Sequence, residues 1–256
     1  MTTTNWDYTR LAPAYADRPD YAPEAVDAIL SLAGAAPEDL ACDIGAGSGH
    51  LTVPLLERKL RVDAVEPNAE MRALGAGRTA AHPSVRWFEG TAERTGQASG
   101  RYRLVTFGSS FNVADPALTL PETARVLTDG GWFACLWNHR DLTDPLQSEI
   151  EDLIAERVPG YSYGSRRADQ STVIDASGLF GQVHALEHEV VHEVDAETWC
   201  AAWRSHATLA RQAGEDFDAV VEAIGRLVRA RGAVRLEIPY VTRGWTAQVL
   251  SKADRP

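Results

Sequence analysis

Two carboxylates and a glycine triplet carry the clearest chemistry in this 256-residue sequence. Asp43 closes the apolar run 40–43, two positions ahead of a Gly-x-Gly-x-Gly turn at Gly45, Gly47 and Gly49. A turn of this kind lets a ligand approach the backbone with no Cβ in the way. Glu66 closes a second apolar run, where a strand-end carboxylate is placed to accept both hydroxyls of a ribose. A dinucleotide fingerprint would put its third glycine where His50 stands. The charge of Asp43 repels a diphosphate and suits a ligand with an amino group. A nicotinamide dinucleotide is therefore disfavoured.

Candidates for moving a proton are His139, directly after the apolar run 132–137, and His206 on the segment 199–209. Asn112 can orient an acceptor by a hydrogen bond but cannot act as a base. His184, His188 and His192 recur every four residues, which in a strand sets all three on one face. No cysteine or carboxylate pattern accompanies them, so they are read as a solvated face and no metal site is expected. Cys42, Cys135 and Cys200 lack metal-ligand spacing and read as small buried hydrophobes.

The elements that must position these groups alternate along the chain. Strands are predicted at 40–43, 61–65, 85–89, 103–107 and 132–137. Helices are predicted at 23–32, after the glycine turn through Leu51, Val53, Leu55 and Leu56, and at 116–127. Asn68 is placed to cap a further helix, with Met71 able to pack on a flat ring. Thr128–Gly131 reads as a turn. Beyond it come a helix at 145–158, a loop at 159–170, a strand at 183–194, a helix at 217–231 and an extended segment at 235–250 interrupted near Pro239 and Gly244. Strand–helix alternation describes an open α/β sheet whose ligands sit beyond the carboxyl ends of the strands.

These features together resemble class I S-adenosylmethionine-dependent methyltransferases, of the small-molecule, type 11-like kind. Asp43 and the glycine turn are similar to that family's first motif. Arg125-Val126-Leu127-Thr128-Asp129-Gly130-Gly131 is similar to its Arg-Val-Leu-x-Pro-Gly-Gly signature, with Asp129 in place of proline. The resemblance implies a doubly wound, seven-stranded, mostly parallel sheet with an antiparallel C-terminal hairpin and a helical cover. It implies S-adenosyl-L-methionine as cofactor, held by Asp43, Gly45, Ala46, Gly47, Gly49, Glu66, Pro67 and Met71. Tyr15 and Arg18 match the family's Tyr-x-x-Arg segment. Thr91, Ala92 and Glu93 match the turn beside the adenine, with Thr91 where aspartate is usual, and Ser109 and Ser110 would lie beside the sulfonium. Many small-molecule members carry Phe-His-Trp where this chain has Phe111, Asn112 and Val113, which moves any base to His139 or His206.

The resemblance covers about 8–137 well and the remainder loosely. It divides the chain into an N-terminal arm and helix (1–36), a cofactor-binding core (37–140) and substrate-cover segments (141–182 and 195–234) of one methyltransferase domain. Acceptor contacts are expected from Tyr8, Phe111, Arg166, Trp203 and Arg204. The aromatic stretch with Trp6, Tyr8, Arg10, Tyr15 and Tyr21 is read as a cover or a packed arm. Arg166, Arg167, Arg204 and Arg243 would suit a carboxylate or phosphate, or are simply solvated.

The formal net charge of −11 disfavours a nucleic-acid backbone as partner. The motifs of amino-methylating and pyrimidine-C5 nucleic-acid enzymes are also missing. No basic segment with an apolar run opens the sequence and no apolar stretch approaches ~20 residues. The expectation is a cytoplasmic monomer or homodimer acting on a small molecule, by O-, N- or C-methylation in bacterial secondary metabolism. Two alternatives stay open: a non-methylating use of the same cofactor, such as cyclisation, and a non-catalytic regulator or scaffold that retains the fold.

Overall fold

The computed structural model describes residues 15, 18–251 and 253–254, so the expectations for Trp6, Tyr8 and Arg10 lie outside the described residues. One sheet has the strand order β3-β2-β1-β4-β5-β7-β6. Its strands are β1 (Leu40–Ile44), β2 (Arg61–Val65), β3 (Val85–Phe88), β4 (Tyr102–Gly108), β5 (Leu127–Arg140), β6 (Phe180–Asp195) and β7 (Arg235–Val249). Pairing is parallel from β3 through β5, whereas β7 runs antiparallel to both β5 and β6. Chain order runs outward from β1 to β3 on one side and from β4 to β5 on the other. The reversal falls between β1 and β4, where such sheets hold their ligands.

Helices cover both faces, which is why β1 and β2 are apolar on both sides. On one face α1 (Pro23–Ala33) and α2 (Thr52–Glu57) bury Val26, Ile29, Leu30 and Leu55 against Ala41, Val62 and Leu104. α1 starts at a proline and ends at Gly34 in the left-handed region, the two residues suited to those positions. α3 (Ala69–Arg78) starts where the Asn68 side chain accepts the Met71 N–H, as the sequence predicts. α4 (Pro116–Val126) is capped in the same way by Asp115. It and α6 (Ser171–Ala176) lie over the aromatic core of Phe107, Phe111, Phe133, Trp137 and Trp245.

Two of the three C-terminal strands, β5 and β6, are longer than the sequence suggests. β4 pairs with β5 as far as Gly108 opposite Leu136. β5 then continues to Arg140, because β7 goes on pairing with it up to Arg140 opposite Tyr240. The predicted turn at Thr128–Gly131 is a bulge inside β5: Tyr102 pairs with Leu127 but Leu104 with Trp132, and the extra residues loop out at Gly130, φ +70°. β7 is not interrupted at Pro239 or Gly244. Pro239 sits one step past the last β5 pair, and its carbonyl accepts the Asp141 N–H on that side. Its missing N–H therefore costs no ladder bond.

The overhanging ends of β6 and β7 carry a second, separate core. Val194, Leu236, Ile238 and Tyr240 pack against α5 (Pro145–Arg157), α7 (Ala196–Ala202), α8 (Ala207–Ala213) and α9 (Phe217–Ala230). α9 contributes Val220, Val221, Ile224 and Val228 from one stripe, and α7 contributes Trp199. Asp144 and Asp195 cap α5 and α7. These helices form a cap over the carboxyl ends of β4 and β5.

His184, His188 and His192 do share one face of β6, but that face is half-buried rather than solvated. It alternates with exposed Glu187, Glu189 and Glu193. His184 lies against Trp132 and His192 against Tyr240. Among the described residues no group of three His, Cys, Asp or Glu side chains could hold a metal, and no helix is long and apolar enough to cross a membrane.

Candidate active site

A cavity of about 500 Å³ opens at the strand reversal, between the glycine turn and the cap. Its first half is built from the ends of β1, β2 and β4. Gly45 and Ala46 donate to the Val65 carbonyl at 2.8 and 3.1 Å, which folds the turn over the end of β2. Gly45 has φ +63°, and a Cβ there would stand 2.5 Å from the Ser110 Cβ. Ser110 is fixed in turn by donating to the Ile44 carbonyl at 2.6 Å.

Glu66 reaches back under this turn. One carboxylate oxygen accepts the Gly47 N–H at 2.9 Å, the other the Asn68 N–H at 2.8 Å. Burial raises its pKa, against the lowering effect of those two N–H donors. Asp43 is fully buried at the cavity wall and accepts hydroxyls from Thr52 at 2.6 Å and Thr106 at 2.9 Å. Register explains the second bond, since Asp43 and Thr106 are neighbours across β1 and β4. Burial raises the Asp43 pKa to about 6, despite both hydroxyls, with Glu66 adding a little. Met71 packs against Gly47, and Pro67, Thr91, Ala92, Glu93, Ser109, Tyr15 and Arg18 also line the cavity. Gly49 does not line it; its neighbours are Thr79, Trp87 and Gly75.

The second half is assembled from distant stretches. Asn138 donates to the Pro19 and Asp20 carbonyls at 3.1 and 2.8 Å, and Thr242 bridges Asn138 to the Ala22 N–H. That clasp sets Tyr21 over Gly108, with its hydroxyl 2.9 Å from the Ser109 hydroxyl. Arg18 donates to the Ser205 hydroxyl and carbonyl at 2.9 and 2.8 Å and lies on the Tyr15 ring. Arg140 pairs with Glu151, donates to the Tyr163 hydroxyl and lies on the Trp203 ring. Arg167 lies on the Tyr163 ring and donates to the Arg140 carbonyl. Arg166 lines the cavity without a hydrogen bond or ion pair among the described residues.

Both candidate bases reach this half, in settings the sequence did not show. His139 is inside β5 rather than in a loop, and its Nε2 is buried with no hydrogen-bond partner among the described residues. Burial first, then the charges of Arg166, Arg167 and Arg243, lower its pKa to about 3. His206 stacks on Trp203 at 9° between planes, and its Nδ1 caps α8 by accepting the Leu209 N–H. Burial and then Arg166 hold it neutral, so its proton stays on Nε2 and it faces the site as a donor.

Three contacts expected on the acceptor side fail. Phe111 is turned into the aromatic core against Phe107 and Phe133. Asn112 accepts the Trp137 indole N–H at 2.8 Å and does not line the cavity. In the short helical turn Phe111–Val113, it is Val113 that faces the cavity. Arg204 is exposed and pairs with Asp218 on the outside of the cap, while its neighbours Trp203 and Ser205 face in. Sequence reasoning assigned no role to Asn138, Arg140, Tyr163, Trp199 or Tyr240. Of these only Asn138 and Arg140 had a signal, as neighbours of His139.

A 3-2-1-4-5-7-6 sheet with a glycine turn and acidic strand end at its reversal defines the class I methyltransferase architecture. Residues 41–131 match the methyltransferase domain family. The chain is 40% identical over 124 residues to an uncharacterized methyltransferase of Mycobacterium tuberculosis, covering 48% of each. It is 30% identical over 146 residues to the ubiquinone/menaquinone biosynthesis C-methyltransferase of Caulobacter vibrioides, covering 52% of this chain and 57% of that one. The chain thus spans about half the length of the curated relatives it matches. Among solved structures, an Anaeromyxobacter dehalogenans chain assigned provisionally as a type II methyltransferase superposes with a TM-score of 0.62 at 22% identity, covering 90% of this chain and 97% of that one. The YcgJ protein of Bacillus subtilis does so at 0.55 and 16%, covering 88% and 97%. These likenesses show the fold. Residues 41–131 therefore carry a methyltransferase domain, set within a sheet of the Rossmann-like methyltransferase fold. The matched segment contains the first half of the cavity and almost none of the second.

Proposed function

We propose that the cavity binds S-adenosyl-L-methionine in its acidic half and that the chain transfers the methyl group to a small molecule held under the cap. The observation that carries this reading is Glu66. Each of its oxygens accepts one backbone N–H, which leaves further acceptor capacity on a carboxylate that lines the cavity, suited to a ribose diol. Gly45 and Gly47 hold the backbone open beside it, and Met71 supplies an apolar wall for a flat ring. Asp43 places negative charge beneath the turn, complementary to a ligand bearing an amino group.

When bound, the cofactor supplies an electrophilic methyl group on a sulfonium with a neutral leaving group. The protein's task is to align the acceptor and exclude water. Tyr21, Trp199, Trp203 and Tyr240 wall the acceptor half, and the cap closes over it. His206 offers an N–H and His139 an uncharged imidazole, so both can orient an acceptor through hydrogen bonds.

Calorimetric titration with S-adenosylhomocysteine tests the reading. Wild-type protein is expected to bind, and Glu66→Gln to bind about tenfold or more weakly, because one acceptor site becomes a donor. Absence of binding, or equal binding by the variant, would refute it. Incubation with methyl-labelled cofactor and fractionated small-molecule extracts then distinguishes transfer from a non-methylating use.

A further inference from the structure

The two halves of the cavity carry opposite charge. Asp43, Glu66 and Glu93 line the first half. The second half is lined by Arg18, Arg140, Arg166 and Arg167, and the carboxylate that meets these four guanidiniums among the described residues is Glu151, which is taken by Arg140 and the Tyr163 hydroxyl. Arg18 bonds Ser205, a neutral partner, and Arg167 donates to a backbone carbonyl and lies on an aromatic face, with its Nε buried and unpaired among the described residues. Arg243, by contrast, pairs with Glu187. Cations at a cavity wall without anions are costly to hold, and proteins ordinarily pair them. Among the described residues Arg166 has neither a hydrogen bond nor an ion pair, and the charge that acts on it most is another cation, Arg18.

Resting on the reading above, we propose that the methyl acceptor carries an anionic group, a carboxylate or phosphate, which docks on Arg166 with Arg18 and Arg167 beside it. A planar guanidinium presents two parallel N–H donors that match either oxyanion. The remaining walls are aromatic: Tyr21, Tyr163, Trp199, Trp203 and Tyr240. The acceptor's body is therefore apolar or aromatic, with its anion at the cap end and its nucleophile toward Ser109 and Tyr21. The cofactor's own carboxylate is a competing occupant, which the experiment must separate.

The test is ligand-observed NMR with a set of aromatic carboxylates, aryl phosphates and the corresponding primary amides, run on protein loaded with S-adenosylhomocysteine and on the unloaded protein. Binding is expected among the anions and not the amides in the loaded protein, which shows that the cofactor's carboxylate does not occupy the cation site. The phosphate and carboxylate arms show which oxyanion the site prefers. Arg166→Gln should weaken anion binding about tenfold or more, and Arg166→Lys should recover part of it. Among the described residues Arg166 bonds no other side chain, so neither variant should melt below wild type. Amide binding equal to the anions, no anion binding in either form, or anion affinity unchanged in Arg166→Gln overturns the proposal. If S-adenosylhomocysteine fails to bind, the cofactor reading fails by itself, while anion binding to unloaded protein still reports on Arg166.

Discussion

Replacing Asp43 by asparagine should stabilise the protein while weakening its cofactor binding. Asp43 is fully buried, and its pKa is raised from 3.8 to about 6. A carboxylate whose folded pKa lies above its unfolded value adds stability that is complete below pH 3.8 and lost as pH rises through 6. A shift of about two units corresponds to ~3 kcal/mol of penalty on the charged form at pH 7.5. Asparagine removes that penalty and keeps the geometry, since its oxygen accepts one threonine hydroxyl and its amide donates to the other. For a chain of this size ~3 kcal/mol is a rise in Tm of roughly 6–12 °C. The gain should shrink as pH falls toward 4, where wild-type Asp43 becomes protonated. His50 and His139, whose pKa values lie at about 4 and 3, produce the opposite trend: stability falls as pH drops below about 6.5. That contribution is common to both proteins and cancels in the difference. S-adenosylhomocysteine affinity at pH 7.5 should drop about tenfold for loss of one charge facing its amino group. Scanning calorimetry at pH 7.5 and 4.5, with titration on the same samples, checks both parts. A variant that melts below wild type at pH 7.5, or a difference that ignores pH, would refute the reasoning.

Two further outcomes follow from the local geometry. Gly45→Ala combines a left-handed backbone with a Cβ 2.5 Å from the fixed Ser110 Cβ, and should cost ~3 kcal/mol and abolish cofactor binding. Gly47→Ala, whose Cβ meets only the mobile end of Met71 at 3.2 Å, should melt above Gly45→Ala in the same scan. His206→Ala removes the α8 cap and should cost about 1 kcal/mol, whereas His206→Asn should keep stability near wild type because asparagine caps well. Turnover with an identified acceptor should fall in both, since both lose the Nε2 donor; unchanged turnover in His206→Asn would place His206 outside the reaction.

The first half of the cavity was legible because it is local. Asp43, Gly45, Gly47, Glu66, Asn68 and Met71 lie within 29 positions of one another, and strand periodicity alone puts both carboxylates at strand ends. Errors begin where a side chain's direction depends on a non-local partner. Phe111 and Asn112 belong to a predicted site loop, but a short helical turn sends one into the core and the other to Trp137. Arg204 is misplaced by one residue of an amphipathic segment, which is enough to move it from the cavity to Asp218. The length of β5 was not legible, since residues 137–140 owe their extended form to antiparallel pairing with a strand a hundred positions later.

The same contrast bears on how the acceptor must arrive. Across the acceptor half, Glu151 is occupied by Arg140 and Tyr163, His206 uses its only free lone pair on an α8 N–H, and His139 is surrounded by Arg166, Arg167 and Arg243. Among the described residues no group there is a strong proton acceptor at neutral pH. Methyl transfer at this site, on the reading proposed above, therefore suits a nucleophile that needs no deprotonation by the protein or has lost its proton before it binds. An anionic group on the acceptor would also bring the one charge able to offset those arginines. Neutralising Arg166 removes the first charge that depresses His139, so the acceptor itself would raise the basicity of the imidazole beside it. Positioning and electrostatics then come from the same contact.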